Sequence, residues 1–153
     1  MKNMVDIAVV LDEKYPDPRV TIQTREKTKQ VENIIYAIEN VSDIDFPVIP
    51  AYKDTFLEFL SQRDIIRIYV HNRRVLVETE VGEYVIRKTL SAVEELLNGE
   101  RFFRISQSEI VNLYKVKGFD LSVAGTIGVE FDNGKRSWVA RSRVKLLKER
   151  LKK

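Results

Sequence analysis

The 153-residue chain contains no cysteine and a single histidine, His71. The first absence excludes disulfides, thiolate metal sites and cysteine nucleophiles, and with only one histidine no zinc ligand set remains. A cysteine-free chain also suits a reducing compartment, and a cytoplasmic location is expected. No apolar run reaches the roughly 18 residues of a membrane span. The opening Met1-Lys2-Asn3-Met4-Val5-Asp6 lacks the apolar core of a secretory signal, so none is expected. No G-x-S-x-G elbow occurs. Gly125 and Gly128 are not followed by the Lys-Ser or Lys-Thr pair of a phosphate loop. Acid pairs such as Glu94-Glu95 read as solvated helix surface. No enzymatic activity, cofactor, metal or small-molecule ligand is expected. Proline is confined to two stretches, Pro16 with Pro18 and Pro47 with Pro50.

What is present is an ordinary hydrophobic fraction of 44%, enough for a core, and an uneven charge. Residues 1–50 hold 6 Lys+Arg against 9 Asp+Glu, whereas residues 51–153 hold 20 against 14. The tail, residues 133–153, holds 9 basic residues and one acid, Glu149. A polyanion would meet that tail first. A merely solvated basic helix would show the same count.

The pattern along the chain begins as a small ββα unit. Val5–Leu11 and Val20–Thr24 read as strands around a Pro-containing loop. Thr24 can cap a helix over 25–41, in which Val31, Ile34, Ile35, Ile38 and Val41 recur at helical spacing. This acidic unit, residues 1–43, is too small to bury that stripe alone. It needs a partner surface, and self-association into a homodimer is the favoured reading. Residues 44–50 read as a linker, and residues 51–153 as a second domain. There the period shortens to that of strands: Asp54–Ser61, Asp64–Val70, Val75–Glu80 and Glu83–Lys88 form a meander with a polar turn at His71-Asn72-Arg73-Arg74. A helix over Leu90–Leu97 has Ser91 and Glu94 in capping-box spacing. After the short strand Phe102–Ile105, one or two helical turns are expected over Gln107–Leu113. Strands follow at Lys117–Phe119, Thr126–Phe131 and Arg136–Ala140. The last two are joined by Asn133-Gly134, whose composition predicts a type I′ turn. A basic helix occupies 141–153, with Val144, Leu147 and Leu151 as its apolar stripe. The fold class is mostly β with short helices.

Residues 101–113, Arg-Phe-Phe-Arg-Ile-Ser-Gln-Ser-Glu-Ile-Val-Asn-Leu, the Asp132-Asn133-Gly134-Lys135 turn, and Trp138-Val139-Ala140-Arg141-Ser142-Arg143 before the basic helix stand in a fixed order. Together they resemble the LytTR DNA-binding domain of bacterial transcription regulators, over about Tyr52 to Lys153. The resemblance implies an elongated arrangement of antiparallel strands and loops that enter successive major grooves of double-stranded DNA. It implies a sequence-specific transcription regulator and, for small stand-alone members, a membrane-bound regulatory partner. The chain departs from the usual pattern at Ser106, where histidine is common, at Gln107, where a basic residue is common, and at Ala124-Gly125, where Asn-Gly is frequent. The alternative from another class is a β-rich protein-interaction module without nucleic-acid binding.

Candidate residues follow from the chemistry. Arg141 matches the family's groove-entering arginine, and its planar fork suits guanine O6 and N7. A surface salt bridge is the competing role, though acids are scarce beside it in sequence. Gln107 can bond adenine bidentately, and Ser106 and Ser108 suit either a plain helix cap or a phosphate at a helix N-terminus. The resemblance places a loop from this part of the fold on DNA, which makes His71, Asn72 and Arg73 candidate base contacts; the competing role is a simply exposed hairpin turn. Arg143, Lys145 and Lys148 are candidate phosphate contacts. Asn112, among core-type neighbours, reads as structural, and Phe102 and Phe103 read as core.

Overall fold

The computed structural model describes residues 5–39 and 46–152 and divides into two compact units, Met1–Tyr36 and Ala37–Lys153. Among the described residues, no helix is long and apolar enough to cross a membrane.

In the first unit the two expected strands do not form, so only the helix of the ββα reading is present. Among described residues, the one backbone hydrogen bond within residues 5–27 is a turn, Tyr15 N to Asp12 O at 3.2 Å. Alternation makes a strand possible, but a ladder partner is what satisfies its N–H and C=O groups, and none is present here. Helix α1 spans Lys29–Glu39. Its start lies later than expected because Thr28, not Thr24, caps it, accepting from Val31 N at 3.3 Å through Oγ1 and from Glu32 N at 3.0 Å through its carbonyl. Val31 is buried, and Ile34, Ile35 and Ile38 are half-buried. Val41 and residues 44 and 45 of the expected linker lie outside the described residues.

The second unit is built of antiparallel ladders. A seven-stranded sheet runs in the order β2-β1-β5-β4-β3-β7-β6, and a three-stranded sheet in the order β10-β9-β8. The strands are β1 (Ile49–Lys53), β2 (Phe56–Leu60), β3 (Ile65–His71), β4 (Arg74–Thr79), β5 (Gly82–Ile86), β6 (Phe102–Ser106), β7 (Glu109–Asn112), β8 (Val116–Asp120), β9 (Ile127–Phe131) and β10 (Arg136–Val139). Helices α2 (Leu90–Glu94) and α3 (Val144–Leu151) complete it. Alternation splits the large sheet's side chains between two cores. Ile49, Ala51, Ile68, Val77, Tyr84 and Ile86 pack with Leu90 and Val93 of α2. Ile66, Phe103, Ile105 and Val111 point the other way and pack with Ile127, Val129, Phe131 and Val139 of the small sheet and Leu147 of α3. Each such buried aliphatic or aromatic side chain contributes roughly 1.5–3 kcal/mol.

Four local expectations change. Strand β1 starts at Ile49, inside the stretch read as linker, because Ile49 is a core residue at 1% exposure. The strand expected from Asp54 is preceded by a two-residue turn in which Asp54 has φ 55°, so β2 starts at Phe56. The helix over residues 90–94 is capped by Thr89, whose Oγ1 accepts from Ala92 N at 3.1 Å, rather than by Ser91. At Asn133-Gly134 only Gly134 has positive φ, 85°. Gly134 N donates to Phe131 O at 2.9 Å and Phe131 N to Lys135 O at 2.9 Å. That is a three-residue loop with a glycine bulge rather than a type I′ turn.

Candidate nucleic-acid interface

The largest departure from expectation lies at the centre of the candidate site. Gln107–Leu113 is not helical. Residues 109–112 form β7, paired with β6 as Phe102↔Asn112, Phe103↔Val111 and Ser106↔Glu109, and only Leu113–Lys115 make a short 3-10 turn. The β-branched Ile110 and Val111 are buried on opposite faces of the sheet, a period-2 arrangement that a helix cannot give. Ser106, Gln107 and Ser108 therefore form a hairpin tip and hold no helix N-terminus. Ser106 Oγ accepts from Ser108 N at 3.2 Å. Gln107 is exposed.

Arg104 braces this tip, a role the sequence did not signal. Its Nε donates to Ser106 O at 3.1 Å and its Nη2 to Gln107 O at 2.7 Å. On the α2 side its Nη1 donates to Ser91 Oγ at 3.1 Å and to Glu94 at 3.3 Å. The planar fork of arginine makes one side chain sufficient for both attachments.

The tip lies beside two other predicted groups. Val70 N donates to Ser108 O at 2.8 Å, which ties the tip to the end of β3. There His71 pairs with Arg74 across Asn72 and Arg73, with φ values of 50° and 63°. Two central residues with positive φ are the type I′ signature. Asparagine adopts it readily, arginine at a cost. His71, Asn72, Arg73 and Arg74 are all exposed. On the other side, Ala140 N donates to Ile105 O at 2.8 Å, which brings the exit of β10 against the end of β6. Arg141 follows at once, in the 3-10 turn Arg141–Arg143. It is exposed and carries no side-chain hydrogen bond or ion pair among the described residues, so the competing salt-bridge role is absent there. Gln107, Asn72-Arg73 and Arg141 thus share one end of the strand ladders.

The basic candidates separate. Arg143 is part of the scaffold: its Nε donates to Arg104 O at 2.9 Å and its guanidinium lies 5.2 Å from the Phe103 ring centre. Lys145 and Lys148 are exposed on α3. Lys148 lines a cavity of about 210 Å³ with Leu121, Val123, Ala124 and Gly125. Residues 121–126 join β8 to β9 and reach the same end of the fold, since Thr126 Oγ1 donates to Val139 O at 2.7 Å. A Cβ on Gly125 would stand 4.0 Å from the Arg141 guanidinium. In sequence this loop stands out only at Ala124-Gly125. Its pairing partner, not its composition, brings it to Arg141.

Beneath the tips, polar groups link the two sheets. Arg67 Nε donates to Glu78 at 2.8 Å and its Nη1 to Glu109 at 3.4 Å. Ser137 Oγ of β10 donates to Glu109 at 2.6 Å, and Lys135 pairs with Glu78. Burial alone would raise the Glu78 pKa, but hydrogen bonds from Lys135 and Arg67, with their charges, hold it below the ordinary value. Burial would likewise lower the Arg67 pKa, yet its bond to Glu78 and the neighbouring carboxylates hold it raised. Tyr69 donates to Glu83, and burial with that carboxylate pushes its phenol up to about 12.

The model of the LytTr DNA-binding domain matches residues 57–152. The chain belongs to the LytTR family. Among solved structures, a LytTr DNA-binding domain from Bacillus cereus superposes with a TM-score of 0.66 at 21% identity, covering 69% of this chain and 96% of that one. That likeness is one of fold. A Staphylococcus aureus (strain MSSA476) protein called an uncharacterized HTH-type transcriptional regulator is 27% identical over 97% of this chain and 99% of its own. Another from strain NCTC 8325 / PS 47, called the same, is 29% identical over 80% of this chain and 84% of its own. The family match covers the whole candidate surface of the LytTR domain, from the Asn72-Arg73 turn to Lys148.

Proposed function

We propose that this LytTR protein is a cytoplasmic transcription regulator that binds double-stranded DNA through the loop end of its domain. Arg141, Gln107 and the His71-Asn72-Arg73 turn read base edges in the major groove, and Ser108, Lys145 and Lys148 hold phosphates. Ser106 positions the tip. The observation that carries this reading is the convergence of three exposed, polar tips on one end of the ladders, with Arg141 unpaired among the described residues. Rigid strands hold those tips, so their ordering entropy is met by the fold rather than at binding. The curated relatives are called HTH-type, but in this chain α2 and α3 are separated by β6–β10 and do not make a helix-turn-helix. Readout therefore falls to loops and to the turn before α3. Two copies acting together would engage two half-sites with raised effective concentration.

The test is a selection of bound fragments from random duplex DNA. Recovery of one enriched motif, lost in Arg141→Ala, is expected. Retention of no duplex at low salt overturns the reading in favour of a protein-interaction module.

A further inference from the structure

We propose that residues Val5–Leu11 form an antiparallel ladder with the same residues of a second copy, building the core of a homodimer. This specifies the interface of the two-copy reading above and rests on that reading. The odd positions Val5, Ile7, Val9 and Leu11 form an unbroken apolar face once the segment is extended. Yet Ile7 is 86% exposed, Val9 82% and Leu11 92%, and no backbone ladder pairs them among the described residues. A strand-patterned segment with a wholly apolar face and free backbone groups is a template for another strand.

The sequence of the segment suits itself. An antiparallel register about a two-fold axis through Ala8 sets Val5 opposite Leu11, Ile7 opposite Val9, Asp6 opposite Val10, and Ala8 opposite its own copy. No like charges face each other. The exposed edge strand β2, Phe56-Leu57-Glu58-Phe59-Leu60, fails the same test, because its own two-fold register sets Glu58 against Glu58. Two strands alone are marginal. Val20–Thr24, with Val20 and Ile22 on one face, can then add to each outer edge, because the eight residues Asp12–Arg19 allow the chain to return. The second copy thus supplies the ladder partner without which neither sequence-expected strand forms. A self-complementary patch is what an isologous interface requires.

The absence of native cysteine makes the register directly testable in the full-length chain. Opposed residues of an antiparallel pair have Cα atoms about 4.5–5.5 Å apart, within the range a disulfide spans. Ala8→Cys should form a covalent dimer rapidly under mild oxidation, whereas Asp17→Cys, in the exposed loop, should do so at least ten-fold more slowly. Full-length protein should sediment as a dimer at tens of micromolar, and Val9→Asp should weaken that association at least ten-fold. Sedimentation of the parent chain as a monomer, or equal cross-linking of the two cysteine variants, overturns the proposal. Neither readout contains DNA. A cross-linked dimer that binds no duplex would sink the DNA reading alone, and a duplex-binding monomer would sink the ladder alone.

Discussion

Arg141 and Lys148 lie near the same loop but should fail differently when truncated. Arg141→Ala should cost about 1–3 kcal/mol at the preferred site and relax base choice, since a bidentate fork discriminates and a point charge does not. Lys148→Ala should weaken all sequences alike and flatten the log–log salt slope by about 1. Titrations on preferred and random duplex measure both, and identical losses on the two DNAs would refute the division of roles. Arg73 gives a test of opposite sign. Its φ of 63° costs about 1–2 kcal/mol relative to glycine, so Arg73→Gly should raise thermal stability. If the side chain touches DNA, the same change should lower affinity. Raised stability with unchanged affinity would remove Arg73 from the interface. Residue-level reading of the sequence succeeded where chemistry and neighbours agreed. Asn112, expected to be structural, is fully buried, with Nδ2 donating to Ile65 O at 2.7 Å and Oδ1 accepting from Tyr114 N at 3.0 Å. It missed Gln62, which bonds Pro47 O, Leu96 O and Asn98 N at 2.8–2.9 Å. All three partners are backbone groups, and two lie more than thirty positions away in sequence, where local pattern carries no information.

Elements were legible where period and length left one solution and illegible where a short apolar run left two. The meander over β3–β5 and the pairing of β9 with β10 appear close to expectation. Gln107–Leu113 does not, because Ile110-Val111 is too short for period to separate strand from helix, and only the ladder with β6 decides. The N-terminal segments show the converse error, a correct period with no partner. Turn type followed hydrogen bonding, so the positive-φ pair fell at Asn72-Arg73 instead of Asn133-Gly134. The network beneath these turns makes an element-scale prediction. Glu78 has a folded-state pKa below its unfolded one. Its contribution is therefore full above the ordinary glutamate pKa and is lost as pH falls through the lowered value. Thermal melts should show stability declining in that acidic window, and Glu78→Gln should flatten the decline. At neutral pH, Glu78→Ala should cost on the order of 3 kcal/mol, since it strands Arg67 and Lys135 beside a buried site. An unchanged acid limb in Glu78→Gln would show that another carboxylate governs it.

At the scale of the whole molecule, charge is divided as sharply as structure. The first 50 residues carry 6 basic and 9 acidic side chains, and the remainder carry 20 and 14. An acidic N-terminal segment adds nothing to phosphate affinity and is repelled by DNA, which leaves it available for another copy of the chain. The LytTR domain supplies the cations, and their number sets the salt response. Each phosphate neutralised releases condensed counterions, giving a slope of about −0.9 per contact. With Lys145, Lys148 and Arg74 exposed and not assigned to base edges, about three neutralised phosphates per domain follow, or a slope near roughly −3 on short random duplex. Two domains on one long duplex should steepen it toward roughly twice that value. Fluorescence anisotropy across a salt series, on duplexes that admit one domain or two, measures both. A slope near zero on the short duplex would mean that these cations face no phosphates. An equal slope on both duplexes would mean that the second domain of a dimer does not reach the DNA.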